Sequence, residues 1–169
     1  MKNLPDAEVL FEQLTEKIKP LITTESALVG IHSGGAWLME RLLPLISPTG
    51  KGLANGILDV SFYRDDYSQR GLHTETRPSQ IPFEVEGRHI ILIDDVFYTG
   101  RTIRAAMNEL FDYGRPASIS LAVLVNRGGR ELPITPQISA YDTTLTQSQN
   151  LQLLRHADGH FYLTLEENS

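Results

Sequence analysis

The sequence predicts an α/β protein: an open, mainly parallel sheet with helices on both faces, closed off by a small C-terminal β hood. Three observations carry this. Segments at about 27–32, 89–94 and 118–125 are nearly continuous in apolar residues, as strands buried on both faces of a parallel sheet must be. Helical patterns at 36–46 and 101–113 alternate with them, and that alternation builds a parallel sheet. The residues just after each strand are polar and glycine-rich, which suits a ligand rim at the carboxyl ends of the strands.

Pro5 fits the first turn of a helix. Leu10, Leu14, Ile18 and Leu21 then recur at three- and four-residue steps, and Pro20 marks the end. The opposite face carries Asp6, Glu8, Glu12 and Glu16 against Lys17 and Lys19, a solvated surface. Ala27–His32 is the first buried strand. It passes through Ser33-Gly34-Gly35 into a helix around Ala36–Ile46, with Trp37, Leu38, Leu42 and Leu45 toward the core and Pro44 placed to kink or shorten it. Ser47–Asn55 reads as a loop. Leu58, Val60 and Phe62 alternate with Asp59, Ser61 and Tyr63, a strand over about 57–63 that ends at Arg64-Asp65-Asp66.

Tyr67–Pro82 has no period, and roughly sixteen such residues inside a compact domain suit a lid or an insertion. After the helix that ends near Tyr113, Gly114 is placed for a C-cap and Pro116 blocks continuation. Ser118–Val125 runs into the polar loop Asn126-Arg127-Gly128-Gly129-Arg130. Leu151–Arg155 and His160–Leu165 flank Ala157-Asp158-Gly159 as a hairpin.

A chain of 169 residues with 41% hydrophobic and 21% charged residues suits one globular domain across 1–169. There is no cysteine, hence no disulfide framework and no thiolate metal site. No leader pattern opens the chain, and no apolar run nears the roughly 20 residues that span a bilayer, so a cytoplasmic protein is expected. A net charge of −6 is the wrong sign for a dedicated nucleic-acid binder. The five histidines do not show metal-ligand spacing.

The stretch with most chemistry is Ile90–Thr102. Four aliphatic residues lead to Asp94 and Asp95, then to Thr99-Gly100-Arg101-Thr102 and a helix. Backbone amides at a helix start, with the two threonine hydroxyls, can wrap a phosphate. Carboxylates repel phosphate but accept hydrogen bonds from sugar hydroxyls. One short element can therefore hold a sugar phosphate by both ends.

These residues resemble the phosphoribosyl diphosphate (PRPP) signature of the type I phosphoribosyltransferases. Within that superfamily the chain resembles the PyrR family, on Asp94-Asp95-Val96, Tyr98-Thr99-Gly100-Arg101-Thr102, Arg104-Ala105-Ala106, Tyr63-Arg64-Asp65-Asp66, Gly114-Arg115-Pro116 and Arg130-Glu131-Leu132-Pro133-Ile134. The resemblance implies formation of UMP and pyrophosphate from uracil and PRPP. Asp94 and Asp95 would hold the ribose hydroxyls. Val96, Phe97, Tyr98, Thr99, Gly100, Arg101 and Thr102 would grip the 5′-phosphate. Ser33, Gly34, Gly35 and Arg64 would meet pyrophosphate, and Asn126, Arg127 and Arg130 would lie in the hood beside the base, Arg127 also touching pyrophosphate. Mg²⁺ would bind through substrate oxygens rather than a protein cage. The 67–82 loop would close over the site, and 126–169 would form the hood.

The chain departs from the family pattern at Gly34, where an Arg is usual, at Asn126, where an Asp is usual, and at Gly129, where a His is usual. Purine enzymes of the superfamily place an Asp where this chain has Tyr98, so the resemblance implies no carboxylate base at that position. The resemblance also implies a homodimer or higher homo-oligomer. The family's second activity is the alternative reading: a regulator that senses UMP, UTP or PRPP and binds pyr mRNA. The acidic first helix argues against that half, because phosphate contacts need Lys or Arg. A third reading is a transferase for guanine, hypoxanthine or orotate.

Overall fold

The structure is a computed structural model that describes residues 3–47, 52–61 and 79–168. Five parallel strands form the main sheet: β1 (Ser26–Ile31), β2 (Ala54–Leu58), β3 (His89–Phe97), β4 (Ser118–Asn126) and β5 (Ile138–Asp142), in the order β2-β1-β3-β4-β5. The helices are α1 (Ala7–Ile18), followed by a 3₁₀ turn at Lys19–Leu21, α2 (Gly34–Ile46) and α3 (Arg101–Tyr113). A separate antiparallel hairpin, β6 (Gln149–Arg155) and β7 (Phe161–Glu167), ends the chain.

The strand order fixes where the helices go. From β1 to β2 the chain steps one way across the sheet, and from β3 to β4 it steps the other way. Crossovers of one hand then put α2 and α3 on opposite faces. The packing agrees. Leu28, Ile91, Ile93 and Leu124 share one core with α1, α2 and the hairpin, whereas Val29, Ile90, Leu92 and Val123 share the other with Ile103, Ala106 and Leu110 of α3. The predicted parallel sheet with helices on both faces is therefore present.

Several elements differ in extent from the sequence expectation. Pro5 lies just before α1 rather than in its first turn: Asp6 caps the helix, its carboxylate accepting the Glu8 N–H at 2.8 Å. Leu10, Leu14 and Ile18 are buried as expected, but Leu21 and, in α2, Leu45 are 43% and 54% exposed. Pro44 neither ends α2 nor shortens it. The lost bond would involve only the carbonyl of exposed Glu40, two residues from the helix end at Ile46.

The strand expected over 57–63 lies at Ala54–Leu58. Asp59 stops it: its carboxylate accepts both the N–H and the hydroxyl of Ser61, a local turn that competes with strand pairing. β5 falls inside the segment expected to be hood, yet it extends the main sheet beside β4. The 67–82 loop is described only from Ser79, so its lid role lies largely outside the described residues. No helix among the described residues is long and apolar enough to cross a membrane.

One ionic knot fastens the hairpin to the helices. Arg41 of α2 makes two 2.8 Å hydrogen bonds to the Glu8 carboxylate of α1. Its guanidinium lies over the rings of Phe11 and Phe161 at 4.3 and 4.4 Å. Glu8 also accepts the Phe161 N–H at 2.6 Å. The Arg41 hydrogen bonds hold the Glu8 carboxyl below the usual glutamate range. A depressed folded value means stability present above the unfolded value and lost as pH falls through the folded one.

Arg41→Met should cost about 2 kcal/mol, between an exposed and a buried pair, and lower Tm by roughly 4–8 °C. Glu8→Gln should cost less, because its amide oxygen still accepts from Phe161. The gap between wild type and Glu8→Gln should close as pH drops below about 4.3 toward the lower folded value. Urea titrations from pH 7 to 3 measure this, and a gap independent of pH would refute it.

Candidate active site

β1 and β3 are neighbours, and the chain leaves their carboxyl ends toward helices on opposite faces. That divergence is the topological switch point, where open α/β sheets hold ligands. Ser33–Gly35 follows β1, and Asp94–Thr102 closes β3 and opens α3. The two polar segments with the strongest anion-binding character in the sequence thus meet at one crevice.

β3 does not stop at the acidic pair but runs through it to Phe97, held by pairing of Val96 with Val125 and Phe97 with Asn126. Asp94 and Asp95 are buried, with 2% and 8% of their surface exposed. Strand alternation sends them to opposite faces. Asp95 turns toward the start of α2, and Asp94 follows Ile90 and Leu92 toward the α3 side. Each carboxylate accepts the next backbone N–H, Asp95 N–H to Asp94 at 2.9 Å and Val96 N–H to Asp95 at 2.8 Å.

The glycines of the β1–α2 turn are there because nothing larger fits. A Cβ at Gly34 would overlap the Asp95 carboxylate and lie 2.9 Å from its Cβ. One at Gly35 would overlap the Ile93 carbonyl oxygen. The start of α2 therefore rests directly on β3 beside the carboxylates. The His32–Ser33 peptide bond at its edge is cis.

On the other side, Gly100 takes φ +96° and lets the chain turn into α3. Arg101 donates its N–H to the Thr99 hydroxyl at 3.2 Å, and Arg104 N–H to Gly100 O at 2.9 Å starts the helical ladder. First-turn amides have no intrahelical acceptor, so they face the loop and any anion in it. Val96 and Phe97 are strand residues, and the Phe97 side chain is buried in the core under α3, so only its backbone lies at the rim.

The segment after β4 braces this loop from outside. Thr99 O accepts from Glu131 N–H at 2.9 Å and Leu132 N–H at 3.2 Å. Arg101 pairs with the Glu131 carboxylate at 2.9 Å, both side chains about half exposed. Nothing in the sequence pattern singled out Glu131 as a partner of Arg101, because the two are thirty residues apart.

Asn126 ends β4, half-buried, and Arg130 is exposed. Arg127 is 4% exposed, donates to Gln149 O and Thr146 O at 2.8 Å each, and lies 3.8 Å over the Tyr98 ring. Its guanidinium is thus held between the root of the hairpin and the start of the loop after β3. Arg64 lies outside the described residues. Among the described residues no group of three or more His, Asp or Glu could hold a metal ion. A pair of carboxylates suits a hard cation that takes its other ligands from water and substrate oxygens.

The phosphoribosyl transferase domain family matches residues 3–152. A "Bifunctional protein PyrR" of Nitrosococcus oceani is 46% identical over 140 residues, covering 83% of this chain and 78% of the relative. One from Pseudomonas fluorescens is 46% identical over 155 residues, covering 89% and 90%. One from Pseudomonas aeruginosa is 52% identical over 126 residues, covering 75% and 72%.

Solved structures share the fold at lower identity. A hypoxanthine phosphoribosyl transferase of Trypanosoma cruzi aligns with TM-score 0.65 and 19% identity, covering 85% of this chain and 78% of that one. The HGPRT-ase of Leishmania tarentolae in complex with GMP aligns with TM-score 0.64 and 16% identity over 85% and 82%. With its switch-point crevice, paired carboxylates and match over residues 3–152, the chain belongs to the phosphoribosyltransferases and, within them, to the PyrR family.

Proposed function

We propose that the chain transfers a phosphoribosyl group from PRPP to uracil, giving UMP and pyrophosphate. One observation carries this reading: buried Asp94 and Asp95 lie beside Gly34 and Gly35 at the switch point, with the Tyr98–Thr102 loop following directly. In the reaction the bond from the ribose anomeric carbon to pyrophosphate oxygen breaks and a bond to uracil N1 forms. The electron pair leaves with pyrophosphate, and the N1 proton goes to solvent.

Asp94 and Asp95 accept hydrogen bonds from the ribose hydroxyls, and the amides of Tyr98–Thr102 hold the 5′-phosphate. Ser33, Gly34, Gly35 and Arg64 receive the pyrophosphate. Asn126 and Arg130 lie on the side of the base. Rate enhancement comes from positioning and from charge stabilisation in a dry crevice. Mg²⁺ would supply charge neutralisation at the pyrophosphate, held mainly through substrate oxygens beside Asp94 and Asp95. The protein works in the cytoplasm as a homodimer or higher homo-oligomer, and the lack of cysteine suits a reducing compartment.

A base-by-base assay with PRPP and Mg²⁺ should give nucleotide from uracil and none from hypoxanthine, guanine or orotate. Product from a purine base, or none from uracil, would overturn the reading. That the PyrR relatives are called bifunctional supports a second role as a nucleotide-sensing binder of pyr mRNA. A salt-dependent gel shift with pyr leader RNA, absent with scrambled RNA, is its signature.

A further inference from the structure

Arg127 has a geometry that neither pyrophosphate binding nor base recognition requires. It touches two separated parts of the chain at once. Its N–H donates to Phe97 O at 3.1 Å, and its own carbonyl accepts the Leu145 N–H at 3.1 Å. Its side chain reaches Thr146 O and Gln149 O, at the root of β6, while its plane covers the Tyr98 ring. A Cβ at Gly129 would come within 2.5 Å of the same ring, so the bare backbone of Gly129, at φ +89°, leaves the space that Tyr98 fills.

We propose that Arg127 is a positioning residue that couples the C-terminal hairpin to the phosphate loop, with Tyr98 and Gly129 as the other two parts of one latch. The proposal rests on the transferase reading for its consequence in catalysis, though not for its geometry. A buried guanidinium needs acceptors, and here two backbone carbonyls supply them. A planar fork can bind two carbonyls while stacking on an aromatic ring, and an ammonium cannot do both.

Tyr98 is the first residue of the loop that turns into α3, so whatever fixes its ring fixes the direction of the amides behind it. The far end of the hairpin is tied to Glu8 through the Phe161 N–H. A hairpin that lifts therefore takes Thr146 and Gln149 from Arg127, and Arg127 from Tyr98. Ordering of the phosphate loop and seating of the hairpin become one event.

Amide hydrogen exchange of the ligand-free protein tests this without reference to activity. Arg127→Met should speed exchange about tenfold at Arg104, Glu131 and Leu132, whose N–H groups bond to carbonyls of the phosphate loop, as well as at 145–150, the size expected of coupled contacts. Loosening confined to 145–150, with those three amides protected as in wild type, would overturn the coupling.

Tyr98→Leu is the second variant, should Arg127→Met fail to fold. It should loosen 145–150 from the other end, whereas Tyr98→Phe, which keeps the ring, should not. Unchanged protection at 145–150 in Tyr98→Leu would also overturn the proposal. In steady-state assays Arg127→Met and Arg127→Lys should raise KM for PRPP about tenfold, with a smaller change in kcat. A fall in kcat alone would contradict it. If wild type makes no nucleotide from PRPP and any base, the transferase reading fails while the exchange measurement still decides the latch.

Discussion

Replacing Asp94 and Asp95 together by Asn should lower UMP formation about a thousandfold, from roughly 2 kcal/mol for each charge-assisted hydrogen bond to a ribose hydroxyl. The single variants should each lose about thirtyfold on the same basis. Asn matches Asp in size, so the crevice keeps its shape and the loss reports charge and acceptor capacity. The two losses should appear mostly in kcat/KM for PRPP rather than for uracil, since the proposed contacts of both groups are to the sugar.

Because β3 runs straight through the pair, the carboxylates leave opposite faces and are not interchangeable. Asp95, in contact with the start of α2, also bears on the geometry of the neighbouring turn. Initial rates across PRPP concentrations, with circular dichroism to confirm the fold, provide the measurement. Rates within twofold of wild type in the double variant would remove the sugar contacts from the mechanism.

Alanine at Gly34 and at Gly35 should separate activity from stability. At Gly35 the new Cβ meets a backbone oxygen, Ile93 O, which cannot rotate away. The helix or the strand must shift, at about 2–4 kcal/mol and a drop in Tm of roughly 6–15 °C. At Gly34 the new Cβ meets the Asp95 carboxylate, which can turn, and lies 2.9 Å from its Cβ, which needs only a small shift. Gly34→Ala should therefore lose less stability but misplace the carboxylate, lowering kcat/KM for PRPP about a hundredfold. Thermal melts and initial rates on both variants check the split. Equal melting points with equal activities would show that the crevice is looser than the contacts at Gly34 and Gly35 imply.

Much of the architecture was legible because local signals agreed with each other. β3 and α3 follow from an unbroken aliphatic run, a glycine at a left-handed turn and a stripe of Ile103, Ala106 and Leu110. The hairpin follows from alternation around Ala157-Asp158-Gly159. Legibility failed where a side chain answered to distant partners. Val60 and Phe62 extend the alternation of β2 on paper, but Asp59 bonding to Ser61 ends it. β5 is an edge strand with no fully buried residue, so Ile138–Asp142 carries little hydrophobic signal. The carbonyl partners of Arg127 come from about twenty residues downstream, so no local pattern announces them.

The placement of β1 between β2 and β3 has a consequence for how the chain is made. β2 follows β1 by about twenty-five residues and can pair with it early, whereas Ser26 of β1 waits for His89 before its other margin is covered. On the ribosome that margin stays open until more than half of the polypeptide has been synthesised, an adhesive border for any passing strand. The same border, once sealed, sets Gly34 against Asp95. Docking of β3 onto β1 and assembly of the crevice are thus a single step, with β4 and β5 added after it.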